Sequence, residues 1–282
     1  MIEKTVENQL FFDWYSAAVD VDFDLFMAAF QSDHEWLHIE PSRPRNGYER
    51  AYSFVGGDGV ARLTVMFGGA SQGTKLNCTA TGEHSPAFAA WVRGRFPVHE
   101  VVRADVAIDY DESGAWRSLH SLCSAASKAH RLKSRYVGPS GLETAPYAPD
   151  GRTLYVGSRQ SVSHVRAYEK GKKDNKQFPD WVRLEFEFKP QTQAARLRYA
   201  SASPAEIMSA TNLGRFLLFQ LGHTVPVRPC APGTLWVKSD YDKSLDYLSE
   251  KFVKTLLELD SRCNGDAVAF RETLLRLNVA AS

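Results

Sequence analysis

The chain has 282 residues, 44% of them hydrophobic, and a formal net charge of +1 at pH 7. That length allows one large domain or two modest ones, and a charge so near zero excludes a molecule-wide polycation, so any nucleic-acid surface must be local. The cysteines, Cys78, Cys123, Cys230 and Cys263, are scattered with no CxxC pair, which argues against a zinc cluster or disulfide framework and fits a reducing compartment. The N-terminal MIEKTVENQLFFDWY is acidic and lacks a sustained apolar core, so no signal peptide is expected, and no stretch reaches the length of a membrane span. The sequence reads as soluble and cytoplasmic.

In chain order, FFDWYSAAV (11–19) is expected to be a buried strand with one acid, Asp13, set into it. DLFMAAFQ (24–31) has helical spacing. AYSFV and ARLTVMFG flank the turn residues Gly56, Gly57, Asp58 and Gly59 as a hairpin, and KLNCTATG (75–82) continues it as a third strand. PAFAAWVRGRF (86–96) predicts a short amphipathic helix, VHEVVRADVAIDY (98–110) a long strand, and AWRSLHSLCSAASKAHRLKS (115–134) a helix. Strands follow at 151–158, 163–170 and 181–189, with Tyr155 of the first expected in the core. Ser203-Pro204-Ala205-Glu206 is a helix start, with Ser as N-cap, Pro in the first turn and Glu three residues after the cap. EIMSATNLGRFLLFQLG, KSLDYLSEKFVKTLLELDSR and DAVAFRETLLRLN are helical in pattern. Short turns join most consecutive strands, which predicts an α+β fold: a mainly antiparallel central sheet flanked by helices, with a helical C-terminal part. The expected division is a body over 1–200 and a helical region over 201–282.

Three strands share a peculiarity. In VVRADVAIDY, Arg103, Asp105, Ala107 and Asp109 face one way; in VRLEFEFK, Arg183, Glu185, Glu187 and Lys189 do so; in HVRAYEK, His164, Arg166, Tyr168 and Lys170 do so. Each strand taken singly is accounted for by a wet side of a half-buried sheet. The alternation of carboxylates and arginines weakens that account. If the strands share a sheet, Asp105, Asp109, Glu185 and Glu187 gather on a surface with several bases and a tyrosine. Such carboxylates suit a hard divalent ion such as Mg²⁺ or Mn²⁺, and the bases suit a phosphate. A phenol, with a pKa of about 10, attacks phosphorus well only where cations favour the phenolate. Arg166 and Lys170 stand two residues either side of Tyr168 to do so.

RADVAIDY (103–110), LYVGSRQSVSHVRAYEKG (154–171) and WVRLEFEF (181–188), in this order, resemble the Rep_trans or replication initiation factor family of rolling-circle plasmids and filamentous phages, the phage branch more closely. FDWYSAAV (12–19) and the glycine-rich stretch from FGGASQG to ATGEHSP (67–86) are weaker matches. The resemblance covers roughly 11–190. It implies an initiator endonuclease that nicks one strand at an origin, with Tyr168 joined to the 5′ phosphate and a 3′ hydroxyl released for a host polymerase. It implies Mg²⁺ or Mn²⁺ held by Asp13, Asp105 and Glu185, with Asp109 and Glu187 as further matches. Arg103, Arg159, Arg166, Arg183 and Lys170 would hold the DNA backbone, joined by Lys172 and Lys173 of the following loop. Origin DNA is the expected partner, with a host helicase, the polymerase and a second copy of the chain as further expected partners.

Rival signals are weaker. HEWLH (34–38) has the H-E-x-x-H form of a zinc protease but runs directly into Ile39-Glu40-Pro41, and no third-ligand pattern follows. No His-hydrophobe-His triplet is present, which favours an acid-held metal. GGASQGTK (68–75) lacks the order of a phosphate loop and reads as a turn. Two other readings stand beside the nicking enzyme: an origin-binding regulator without cutting, which needs neither Tyr168 nor the acids, and a metal-dependent phosphodiesterase using water, which needs the acids alone.

Overall fold

The chain's architecture comes from a computed structural model that describes residues 9–70, 72–174, 178–227, 231–233 and 240–279. The elements run β1 (Phe11–Val19), α1 (Phe23–Asp33), β2 (His38–Pro41), β3 (Arg50–Val55), β4 (Ala61–Phe67), β5 (Leu76–Thr81), α2 (Ser85–Arg95), β6 (Glu100–Asp111) and α3 (Ala115–Ala129). They continue with β7 (Ser134–Val137), β8 (Thr153–Val156), β9 (Ser163–Tyr168), α4 (Lys170–Asp174), β10 (Trp181–Phe188), α5 (Gln193–Arg198), α6 (Pro204–Ser209), α7 (Asn212–Gln220), α8 (Asp240–Arg262) and α9 (Ala267–Val279). The fold is α+β, as the alternating strands and short turns predict.

The described strands form one ten-stranded sheet in the order β2-β3-β4-β5-β1-β6-β10-β9-β8-β7, with antiparallel pairing throughout. The sheet's apolar face carries the core. Tyr15, Ala17, Phe54, Leu63, Val106, Ile108, Val165, Leu184 and Phe186 pack there against Phe26, Phe88, Val92, Leu119, Cys123, Met208 and Leu217 of the helices. Burial of these large side chains stabilises each by roughly 1.5–3 kcal/mol relative to exposure, and that seals the helices to one side. The long β6 lies between β1 and β10, so acids far apart in sequence meet on its two edges.

Local chemistry accounts for the C-terminal helices of the body. Ser203 and Glu206 form a reciprocal capping box at α6. The predicted single helix over 206–222 is broken after Ser209, because Thr211 is extended and its hydroxyl caps α7 by accepting from Gly214 N. Gly214 is needed for packing: a Cβ there would lie 1.9 Å from Met208 O. Because Ile207, Met208, Leu217 and Leu218 are core residues, the compact unit runs Met1–Thr234, and the expected division near residue 200 falls inside it. A second unit, Leu235–Ser282, holds α8 and α9.

Candidate functional site: an ion-paired tyrosine on the sheet

The three peculiar strands are neighbours, in the order β6-β10-β9. Directly opposed residues of antiparallel strands share a face. Asp109 opposes Arg183, which opposes Tyr168; Ala107 opposes Glu185, which opposes Arg166; Asp105 opposes Glu187, which opposes His164. The charged positions thus form three rows crossing the sheet. Strand pairing alone assembles them.

Asp13 arrives by a different device. The β1–β6 register shifts between Phe12 and Trp14, so Asp13 is the extra residue of a bulge. Arg183 Nη1 donates to Asp13 Oδ1 at 2.6 Å, while Arg183 Nε and Nη2 donate to the two oxygens of Asp109 at 2.6 Å each. Arg166 Nη2 donates to Glu185 Oε2 at 2.5 Å. Arg103 Nε and Nη2 donate to Asp105 at 2.8 and 2.5 Å, and Nη2 lies 2.8 Å from Glu187 Oε2. Every acid expected at a metal is therefore already paired with a guanidinium. Asp105, Asp109, Arg183, Glu185 and Tyr168 are all buried.

These pairings decide how well the acids suit a divalent ion. Among the described residues no group of three or more acidic, histidine or cysteine side chains is arranged to hold a metal. A hard cation needs several oxygen ligands turned to one point, whereas these oxygens are turned to arginines. As arranged, Asp13, Asp105, Asp109, Glu185 and Glu187 do not fit Mg²⁺ or Mn²⁺.

Tyr168 sits at the end of β9, 5% exposed, with the Arg166 guanidinium 4.4 Å and the Lys173 ammonium 5.7 Å from its ring centroid. The flanking cations were expected to favour its phenolate. Burial first, and then the Glu185 carboxylate and Asp13, push the phenol well above its ordinary range, against the opposing pull of Arg183 and Arg166. The guanidiniums are neutralised by their own acids, so too little positive charge remains to offset desolvation. Burial likewise raises the Asp105 carboxyl to about 7, helped by Glu185 and Glu187 and opposed by Arg103.

Other expected positions are redistributed. Lys170 does not continue the strand face: it opens α4 and its ammonium lies 5.2 Å from the Trp181 ring. Lys172, expected on DNA, donates instead to Glu169 Oε1 and Ala148 O at 2.8 Å each. Glu169 in turn accepts from Arg152 Nε, Nη2 and backbone N at 2.8–2.9 Å, a buried clamp directly behind Tyr168. Arg103 and Arg183 are held by acids, whereas Arg159 and Lys173 are exposed. His34 closes α1 and the exposed His38 begins β2, so HEWLH is no helical metal pair. Cys230 lies outside the described residues.

Two residues escaped the sequence reading. Tyr155 is not core: it opposes Arg166 across the β8–β9 pair, half-buried on the site's face. The signal was available, since Leu154 and Val156 are the buried alternates and Tyr155 is out of phase with them. Trp14 lies under Arg103, whose guanidinium is 4.3 Å from the ring centroid. Only the bulge at Asp13 places it there, and no local pattern announces that bulge.

Residues 99–208 match the model of the Rep_trans family, described as replication initiation factor. That segment contains the three charged strands, the clamp and Tyr155. No curated protein matches the chain. The fold is similar to a solved structure of the rolling circle replication initiator protein from Geobacillus stearothermophilus, with a TM-score of 0.53 and 19% identity over 79% of this chain and 98% of that one.

Proposed function

Since residues 99–208 carry the replication initiation factor segment, we propose that this chain initiates rolling-circle replication by nicking one DNA strand, with Tyr168 as the nucleophile. One observation carries the reading: Asp109, Arg183 and Tyr168 stand in a single row across three strands, with Arg166 stacked on the phenol.

The step exchanges one phosphodiester for another. The Tyr168 oxygen forms a bond to phosphorus as the bond to the 3′ oxygen breaks. The phenolic proton passes to a neighbouring carboxylate, with Glu185 and Asp13 the acids whose charge reaches it, and the departing 3′ oxygen takes a proton back from the carboxylic acid so formed and leaves as a hydroxyl. The products are a 5′-phosphotyrosyl link and a free 3′ end, close in energy to the reactants, so the protein keeps the cut bond for rejoining. Arg166 Nε is buried with no hydrogen-bond partner among the described residues, a donor ready for a phosphate oxygen. A phosphate placed there competes with Glu185 for the guanidinium, frees a carboxylate to take the proton, and brings negative charge under the arginine's control. A divalent ion of the Mg²⁺ or Mn²⁺ kind would require the arginines to let go of the acids first. Specificity for an origin would lie at least partly in the C-terminal helices. No helix of the described residues is long and apolar enough to cross a membrane.

The test is incubation of the full chain with a random-sequence single-stranded library plus Mg²⁺ or Mn²⁺, followed by recovery of denaturant-resistant protein–DNA adducts. Wild type should yield adducts at Tyr168 with one recurrent sequence, and Tyr168→Phe should yield none while binding DNA as before. A buried, protonated phenol favours a second reading, an origin-binding protein without cutting. That reading is correct if wild type binds the library selectively but forms no adduct and leaves no nick.

A further inference from the structure

Outside the ion-paired rows lies a group of side chains that the nicking step does not use. Tyr155 stands on β8 between Arg166 on β9 and Arg135 on β7, each its direct cross-strand neighbour. Its ring stacks with His164, centroids 5.6 Å apart and planes 25° apart. The Arg135 and Arg159 guanidiniums lie 5.2 and 5.4 Å from the Tyr155 centroid. Burial holds the His164 imidazole below its ordinary pKa.

The contrast with the rows next door is in charge. Arg103, Arg166 and Arg183 are each committed to carboxylates. Arg135 and Arg159 are exposed, and neither meets a carboxylate among the described residues. Two uncommitted guanidiniums on one aromatic ring are two phosphate donors mounted on a stacking platform. Guanidinium planes stack on bases as readily as on phenols, and base stacking is indifferent to sequence. The layer is one strand away from Tyr168, whose own cross-strand partner on β8 is Thr153.

We propose that Tyr155, Arg135 and Arg159 form a subsite for single-stranded DNA beside the scissile phosphate, holding the flanking nucleotide by its base on the aromatic–guanidinium layer and by its phosphates on the two arginines. Tyr155 acts there as a positioning residue. The subsite deepens the nicking reading and rests on it only for the identity of the phosphate at Tyr168. Strand binding itself is separable.

The experiment uses the full-length protein and two fluorescent probes of equal length, oligothymidine and the matching strand of abasic sugar-phosphate. Wild type should bind oligothymidine roughly tenfold more tightly than the abasic strand, one stacked base contributing that factor. Tyr155→Leu should lose this preference and bind both probes alike, whereas Tyr155→Phe, which keeps the ring, should retain it. Arg135→Gln and Arg159→Gln should each weaken both probes and lower the slope of log affinity against log salt by about one. If folded Tyr155→Leu keeps the wild-type preference, or the arginine changes leave the salt slope untouched, the subsite is refuted. Should wild type form no covalent adduct while these dependences hold, the nicking reading falls and the subsite stands. Adduct formation with an unchanged Tyr155→Leu preference gives the converse.

Discussion

Arg183→Met removes a buried cation that serves two acids of the site. Arg183 is 4% exposed, and its guanidinium makes two bonds to Asp109 and one to Asp13. Methionine fills most of the aliphatic volume, so the loss is electrostatic rather than a cavity. Asp109, 6% exposed, would lose its bidentate partner. Breaking a buried pair in this way costs roughly 3–5 kcal/mol, and for a compact unit of this size that lowers Tm by on the order of 10 °C. Arg183→Met combined with Asp109→Leu removes the carboxylate along with its guanidinium. Asp13 then remains, and its carboxylate, with 15% of its side chain exposed, is better hydrated than Asp109. The double variant should therefore recover well over half of the loss. Urea unfolding followed by near-ultraviolet circular dichroism gives the four stabilities of the cycle, and the expected coupling is roughly 2–3 kcal/mol. Additive losses, or a single Arg183→Met variant within about 0.5 kcal/mol of wild type, would show that the row is not a coupled ion-pair network.

Other expected outcomes concern the phenol, the acids and the chain's boundary. Because the folded Tyr168 phenol lies above its unfolded value, its contribution to stability is intact below about pH 10 and is lost as pH rises beyond that. The tyrosinate difference spectrum between wild type and Tyr168→Phe should accordingly show no ionisation near pH 10; a transition at or below that pH would refute the burial argument. Since Arg166 occupies Glu185, Arg166→Gln should tighten Mn²⁺ binding in DNA-free protein, read by electron paramagnetic resonance. Equal affinity in both proteins would mean that guanidinium pairing is not what keeps the acids from a cation. A chain ending at Ser203 loses Ile207, Met208, Leu217 and Leu218 from the core and should fail to unfold cooperatively, whereas one ending at Thr234 keeps the compact unit and should melt as a single transition.

The sequence alone determined the faces of strands. Side-chain direction alternates with a period of two whatever the partner strand, so Arg103, Asp105 and Asp109, or Arg166 and Tyr168, were legible as shared faces before any pairing was known. The Ser203–Glu206 capping box was equally legible, since its hydrogen bonds close within four residues. Tyr155 could have been placed by the same period-two rule, applied to Leu154 and Val156.

What tertiary structure decided was register and charge state. Which acid meets which base depends on β10 entering between β6 and β9, a pairing between residues far apart in sequence, 74 positions in the case of Arg183 with Asp109. The bulge at Asp13 and the Lys170 turn into α4 each shift a side chain that simple alternation would have sent elsewhere. Charge followed from the same contacts. Lysines and arginines near Tyr168 in sequence promised an ionised phenol, but their field reaches it only where no carboxylate lies closer. Here Glu185 lies against Arg166 and Asp109 against Arg183. An ion pair is nearly neutral at a distance while burial is not compensated, and that balance exists only once the strands are side by side.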